Sequence, residues 1–380
     1  MPMVMGNIAA AYIEALSAET RNVGSPSPMP ADEICCTLNL PYSQKQYQLS
    51  FSELLKKCPE YGLLHDGTGL TQFLPSKWDQ LESVGKTFVI DMAKVDKIRN
   101  STSEAKVTRL SLCSPLTWAH VTLAGLVDRI RSLTSVDKFP NSVSGVKVTR
   151  FSLLSALTWA HATRARLAAG EPAAADCNSI QPRFWNPHDW MGPRKGLFKD
   201  EPSKARYFGN SVVLPVTKPS TLKCEKDLVE ACDWQSAIYQ GRLPSKIIDI
   251  AQSIMQANRS VDEDFVLTRT ALFAAMDDHR KLGVDLNPRL PHHFSANTWA
   301  FIGQGARFHF PGVNLAGNGG RPDAIRRIQN AWARPHALIM PTRPGIEDDE
   351  VELLVTLPVI SMNRLVQDES WMSLVKRVVD

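Results

Sequence analysis

His65, Asp66, Gly67, Thr68 and Gly69 place an imidazole and a carboxylate directly before a Gly-Thr-Gly bend. An imidazole that titrates near neutrality takes a proton from a hydroxyl, and a fixed carboxylate orients a ring or anchors a loop. The glycines let the backbone turn sharply and leave little side chain over the neighbouring histidine. Two readings stand at this point: a catalytic base beside its loop anchor, or a solvated turn. Cys58, seven residues earlier, has nothing nearby that marks it as activated and reads as incidental. The adjacent His292 and His293 lack an HExxH context, and the seven cysteines form no CxxC pair, so no metal is expected.

The elements that must carry these residues follow from pattern. A weak helical turn spans Ser52 to Lys57, and Thr87 to Asp91 reads as a brief or edge strand. Residues 95–126 recur at 136–167 with an offset of 41, identical at 21 of 32 positions. Two copies are too few for a solenoid. The second copy is the better helix, with Leu153, Leu154, Leu157, Ala160 and Leu167 at helical spacing and Arg164 and Arg166 suiting its C-terminal dipole. Pro115 interrupts or starts the helix of the first copy. His120 and His161, each after Trp-Ala, read as helix-packing residues.

Glu171 to Pro202 is the expected crossover between domains, and Tyr207 to Val213 opens a strand. Ser245 to Asn258 gathers Ile247, Ile248, Ile250, Ala251, Ile254 and Met255 largely on one side of a helix. A capping box from Ser260 to Glu263 starts another, expected to reach Leu282 with Gly283 as its C-cap. Phe294 to Ile302 is a strand, and Asp323 to Trp332 a short basic helix. Glu350 to Leu357 alternates as a half-buried strand, and an amphipathic helix runs from Met362 to Val379. Strands alternating with helices indicate an α/β fold.

At 380 residues the chain has room for two cores, and its 43 basic against 39 acidic residues form no long block. Phosphate-backbone binding needs a concentrated basic face, so nucleic acid is not the expected partner. No apolar run reaches the length needed to span a bilayer, and Met1 to Met5 lacks the basic start of a signal peptide. A cytoplasmic protein with reduced thiols is expected.

Several segments occur in a recognisable order: Asp66-Gly67-Thr68-Gly69, VTRFSLLSALTWAHATRAR at 148–166, Tyr207-Phe208-Gly209-Asn210, Asn297-Thr298-Trp299, and ELLVTLPVISMNRLVQDESW at 352–371. Together they resemble the HxxxD-type acyl-CoA-dependent acyltransferases of the BAHD superfamily, in particular its fungal trichothecene 3-O-acetyltransferase branch. The resemblance implies two chloramphenicol-acetyltransferase-like domains, each a mixed sheet flanked by helices. These would be residues 1–175, with an incomplete sheet, and 207–380, joined by a crossover at 176–206. It further implies a monomer that moves an acyl group, acetyl in the first instance, from acyl-CoA to an alcohol acceptor. His65 would be the base and Asp66 the loop anchor. Asn297, Thr298 and Trp299 would lie near the oxyanion and acceptor, although a tryptophan such as Trp299 is more often simply core packing. Gly317, Gly319, Gly320 and Arg321, ahead of Arg326-Arg327, could offer backbone N–H groups and charge to the CoA phosphates; the plainer reading is a surface loop before a solvated basic helix.

The departures are specific. Four residues before Asp66 stands Gly62, not the family's histidine, and no His-x-x-x-Asp occurs anywhere in the chain. Arg307 stands where the family keeps an aspartate. The alternative expectation is therefore a catalytically inactive or truncated relative that keeps only the fold.

Overall fold

The computed structural model describes residues 48–63, 82–104, 148–171, 181–190, 212–219, 222–240, 244–285, 290–300, 325–327, 335–341 and 349–379. The expected helical turn is present as α1 (Phe51–Lys57), started by Ser50 and Glu53 satisfying each other's backbone N–H. It leads into a short strand, β1 (Tyr61–Leu63). Strand β2 (Ser83–Asp91) is longer than the expected 87–91 and lies between two other strands, not at an edge. Helix α2 (Met92–Glu104) follows directly. Most of the first repeat copy, with Pro115 and His120, lies outside the described residues.

The second copy forms α3 (Arg150–Ala168), as expected, with Thr149 as its N-cap. Leu153, Leu157, Trp159 and Ala160 are fully buried, and each leucine contributes about 1.5–3 kcal/mol. Gly170 closes the helix at φ +67°, a conformation that glycine adopts without strain. That turn sends the Glu171 N–H back to the Arg166 carbonyl. Arg166, read in the sequence only as suiting the helix dipole, is completely buried and pairs with the Glu171 carboxylate at 2.7 Å.

Four short strands follow: β3 (Arg183–Trp185), β4 (His188–Asp189), β5 (Val212–Val213) and β6 (Val216–Thr217). Helices α4 (Glu225–Ala231), α5 (Trp234–Tyr239) and α6 (Ser245–Arg259) come next. The six apolar residues expected on one side of α6 are the six it buries. Helix α7 (Glu263–Ala274) is capped by Asp262, whose carboxylate accepts from Phe265 N, and not by Ser260. It stops eight residues before Leu282. Gly283 is no C-cap, because β7 (Leu282–Val284) pairs antiparallel with β1 and places Gly283 opposite Gly62.

The remaining elements are β8 (His293–Thr298), β9 (His336–Ile339), β10 (Glu350–Pro358), α8 (Val359–Val366), α9 (Glu369–Met372) and β11 (Val375–Val379). The expected closing helix is therefore two short helices and a strand. Asp368 caps α9 by accepting from Trp371 N, and the β-branched Val375, Val378 and Val379 suit a ladder against β2.

Seven strands form one sheet in the order β11-β2-β10-β9-β8-β3-β6. Strand β8 runs parallel to β3 and β9, and the other pairings are antiparallel, so the sheet is mixed and the fold α/β. The sheet takes β2 from before the expected 176–206 crossover, β3 from within it, and its other strands from beyond. One face, with Phe88, Phe184, Phe294, Leu353 and Val355, packs under α3, α6 and α8. Strand β10 is not half-buried as expected: Leu354 is covered too, in a second cluster with Leu338 and Met340 on the opposite face.

His161, on α3, is fully buried and bridges elements as a packing residue. The Trp234 indole N–H donates to its Nε2 at 3.1 Å, which leaves the ring proton on Nδ1, 2.7 Å from Asp368. Burial holds His161 and His293 below the usual histidine range, the latter at about 2, where His292 and Arg183 add to the effect. Burial pushes the Asp368 carboxyl up, but hydrogen bonds from His161 and Arg164 outweigh it and hold the group below the usual carboxylate range. In all three cases the unfolded chain binds more protons, so stability increases with pH. The urea midpoint is expected to fall as pH drops below about 6.5, through the two histidines, and further below about 4, through Asp368. A midpoint that stays level from pH 7 to pH 4 would contradict this.

Candidate functional site

His65 and Asp66 lie outside the described residues, as do Arg307, Gly317, Gly319, Gly320 and Arg321. The strand that leads to the first pair is described. Leu63 ends β1 two residues before His65 in the sequence.

The surroundings of β1 are charged and buried. Its pairing with β7 sets Tyr61 opposite Val284 and Leu63 opposite Leu282, and Asp285 N donates to the Glu60 carbonyl at 2.7 Å. The Glu60 carboxylate is 1% exposed and receives both arms of the Arg269 guanidinium, at 2.6 and 3.0 Å. Arg269 comes from α7, where it lies 3.3 Å over the Phe265 ring. Tyr61 packs edge-on against Phe273 at 5.3 Å. Cys58 is fully buried, and burial pushes its thiol up to about 11, so it is no activated nucleophile. A Cβ placed on Gly62 would meet nothing within 4 Å, so the glycine is not dictated by crowding.

The second group of expected site residues is described. Strand β8 stops at Thr298 instead of running to Ile302, and Asn297 sits at its C-terminal end. Thr298 N donates to Asn297 Oδ1 at 2.8 Å. A backbone N–H must face an oxygen, so this contact fixes the orientation of the carboxamide and turns its NH2 group away as a donor. Thr298 is exposed, and its Oγ1 accepts from Ala300 N at 3.2 Å, leaving its O–H to donate. Trp299 N donates to the Ile339 carbonyl, and its half-buried ring packs against the Leu338, Met340 and Leu354 cluster. The ring packs, as the plainer reading of Trp299 has it.

Arg183 links the two neighbourhoods. It pairs with Asp285, next to β7, and lies in register with His293 of β8. Sequence reasoning missed Glu60, Arg269, Arg183 and Asp285, whose partners lie 102 to 209 residues apart and leave no local pattern.

The basic helix expected over 323–332 is not seen in its described part, since residues 325–327 are irregular. Arg326 donates to the Glu352 carboxylate at 2.6 Å, and Arg327 contacts His336 Nε2. The charge of Arg326 is thus met by an almost completely buried glutamate. Among the described residues, no group of three or more His, Cys, Asp or Glu is arranged to hold a metal ion. No helix among them is long and apolar enough to cross a membrane.

No protein-family model matches the chain, and no curated protein matches it. Among solved structures, F. sporotrichioides TRI101 complexed with coenzyme A and T-2 is 16% identical at a TM-score of 0.46, covering 77% of this chain and 51% of that one. Apo F. graminearum TRI101 is 15% identical at a TM-score of 0.44, covering 88% and 55%. The epimerization domain from the third module of tyrocidine synthetase B is 12% identical at a TM-score of 0.34, covering 98% and 65%. The chain spans about half the length of the TRI101 chains it matches.

Proposed function

We propose that the protein transfers an acyl group, acetyl in the first instance, from coenzyme A to a hydroxyl of a small secondary metabolite. The observation that carries this reading is the end of β8, where Asn297 keeps an amide NH2 to donate on the face that holds the Leu338, Met340 and Leu354 cluster, with the exposed hydroxyl of Thr298 next along the strand on the other face. It is joined by the ordered set of family-like segments in the sequence. In this reading 1–175 and 207–380 are the two acyltransferase-like lobes, 176–206 is the crossover, and β2 is contributed across it.

A thioester is already activated, so the chemistry asks little of the protein. His65 takes the proton of the acceptor hydroxyl as its oxygen attacks the thioester carbonyl carbon. Asn297 donates to the oxyanion that forms, with Thr298 beside it at the acceptor side, and such a preorganised donor acts where charge develops. The tetrahedral centre collapses with cleavage of the C–S bond, and the proton on His65 passes to the departing CoA thiolate. Asp66 holds the loop, while the backbone at Gly317, Gly319 and Gly320, with Arg321, receives the CoA phosphates. The protein would act as a cytoplasmic monomer.

A second reading, an inactive relative, is favoured by Gly62: the space there is open, yet no imidazole fills it. Thiol release from acetyl-CoA, followed across a panel of terpenoid and polyketide alcohols, separates the two. Acceptor-dependent release is expected. None with any alcohol or acyl chain length would leave the inactive relative.

A further inference from the structure

We infer that Trp159 and Thr163 are positioning residues for acyl transfer: together with Arg166 they set how far along its own axis β8 sits, and so where Asn297 presents its amide. The inference rests on Asn297 being the oxyanion donor. Asn297 lies one residue before the end of β8, and the ladder around that strand is thin. Among the described residues, β3 pairs only with His293 to Ser295 and β9 only with Ala296 to Thr298, so each half of β8 is laddered on one side. Alternation decides which face each side chain takes: Phe294 and Ala296 go under α3, and Asn297 goes beside Leu338. It leaves axial position open, because a slip of two residues keeps every face and moves Asn297 by about 7 Å.

That position is set by α3. Trp159, Thr163 and Arg166 stand at i, i+4 and i+7 on one fully buried stripe of the helix. Together they donate to four consecutive carbonyls at the entrance of β8. Arg166 Nη1 reaches those of Leu290, Pro291 and His293 at 2.9, 3.2 and 3.3 Å. Thr163 Oγ1 reaches that of Pro291 at 3.3 Å, and Trp159 Nε1 that of His292 at 3.0 Å. The Leu290 carbonyl also accepts from His293 N at 3.0 Å, which closes the entering segment into a turn. The stripe is itself held: Arg166 is tied to Glu171, Glu171 to Ser361 of α8, and the Trp159 ring lies 5.4 Å from that of Phe184 on β3. Apolar side chains would hold α3 on the sheet equally well, but such contacts are non-directional, whereas hydrogen bonds to successive carbonyls are made at one axial setting. From His293 to Asn297 the strand runs extended for about 13 Å and passes an axial error on undiminished. A catalytic donor misplaced by about 1 Å can lose about 10²-fold in rate.

Arg166 also carries a buried ion pair, so the test uses the two uncharged members. Thr163→Val keeps the shape and loses the hydroxyl, Thr163→Ser keeps the hydroxyl, and Trp159→Phe loses the indole N–H. Leu153→Val, at a fully buried position of α3 that makes no side-chain hydrogen bond, measures the effect of loosening the core alone. Two readouts are taken: kcat and KM for acetyl-CoA with the alcohol that gives most thiol release, and the side-chain NH2 resonances of Asn297 in a 1H–15N spectrum, assigned by their loss in Asn297→Ala. Thr163→Val and Trp159→Phe are expected to lose at least about tenfold in kcat with KM for acetyl-CoA unchanged, and to shift the Asn297 resonances. Thr163→Ser should keep both at wild-type values. Leu153→Val should lower the urea midpoint and change neither. Unchanged kcat and unchanged Asn297 resonances in folded Thr163→Val, or an equal shift in Leu153→Val, would reduce the stripe to packing and overturn the inference. If Trp159→Phe does not fold, the two Thr163 variants decide by the same readouts. If the wild type releases no thiol with any alcohol, the proposed activity fails, and the Asn297 resonances still decide whether the stripe places that side chain.

Discussion

Arg166→Ala is expected to lower the stability of the protein by about 3–5 kcal/mol, a large share of the roughly 5–15 kcal/mol that holds a typical domain. The Arg166 guanidinium is completely buried at the end of α3. It donates to Glu171 at 2.7 Å and to the carbonyls of Leu290, Pro291 and His293 at 2.9, 3.2 and 3.3 Å. It thereby ties α3 to the segment that enters β8, where Trp159 and Thr163 also reach the carbonyls of His292 and Pro291. Burial lowers the pKa of Arg166, and the adjoining Glu171 carboxylate opposes that shift. Truncation takes the guanidinium from the Glu171 carboxylate, which keeps only the Ser361 hydroxyl, and removes one donor from each of the three carbonyls. Urea unfolding followed by tryptophan fluorescence measures the loss. A change under about 1 kcal/mol would mean that water replaces the guanidinium freely, contrary to its burial.

His65→Ala is expected to lower kcat of acyl transfer by about 10²- to 10⁴-fold, the usual worth of a positioned base, with KM for the acyl donor unchanged. Asn297→Ala should lower it by about 10²- to 10³-fold through the loss of one oxyanion donor. The two changes touch separate parts of one step. Activity equal to wild type in His65→Ala would remove that histidine from the chemistry, leaving the fold and the role of Asn297 untouched.

What the sequence revealed follows from how local each signal is. The buried side of α6 repeats every three or four residues, and its six apolar positions were all readable. Helix α3 was equally plain. At β10 the alternation of Val351, Leu353, Val355 and Leu357 marked a strand, but the burial of Leu354 and Thr356 depends on what covers the second face, and alternation says nothing of that. The run into β11 kept apolar residues at helical spacing after Met362, and only the Asp368 cap and the open edge of β2 turned it into a strand. Likewise the segment after Ala274 reads as more helix until β1 offers a ladder to Leu282–Val284. At the candidate site, Asn297, Thr298 and Trp299 stood out as a cluster of functional types. Glu60 and Arg269 did not, because a pairing across 209 residues has no period to read.

The place of β2 has a consequence for how the chain is made. Its two neighbours in the sheet are β10 and β11, and the facing residues Asp91 and Glu350 are 259 positions apart. During synthesis on the ribosome, β2 therefore emerges long before either neighbour exists and waits with both hydrogen-bonding edges bare. Closing so distant a pairing is slow, and a waiting apolar strand is a template for clumping. Recombinant fragments ending before residue 350 inherit that hazard permanently, whereas chaperone supply during translation should govern the yield of the longer product.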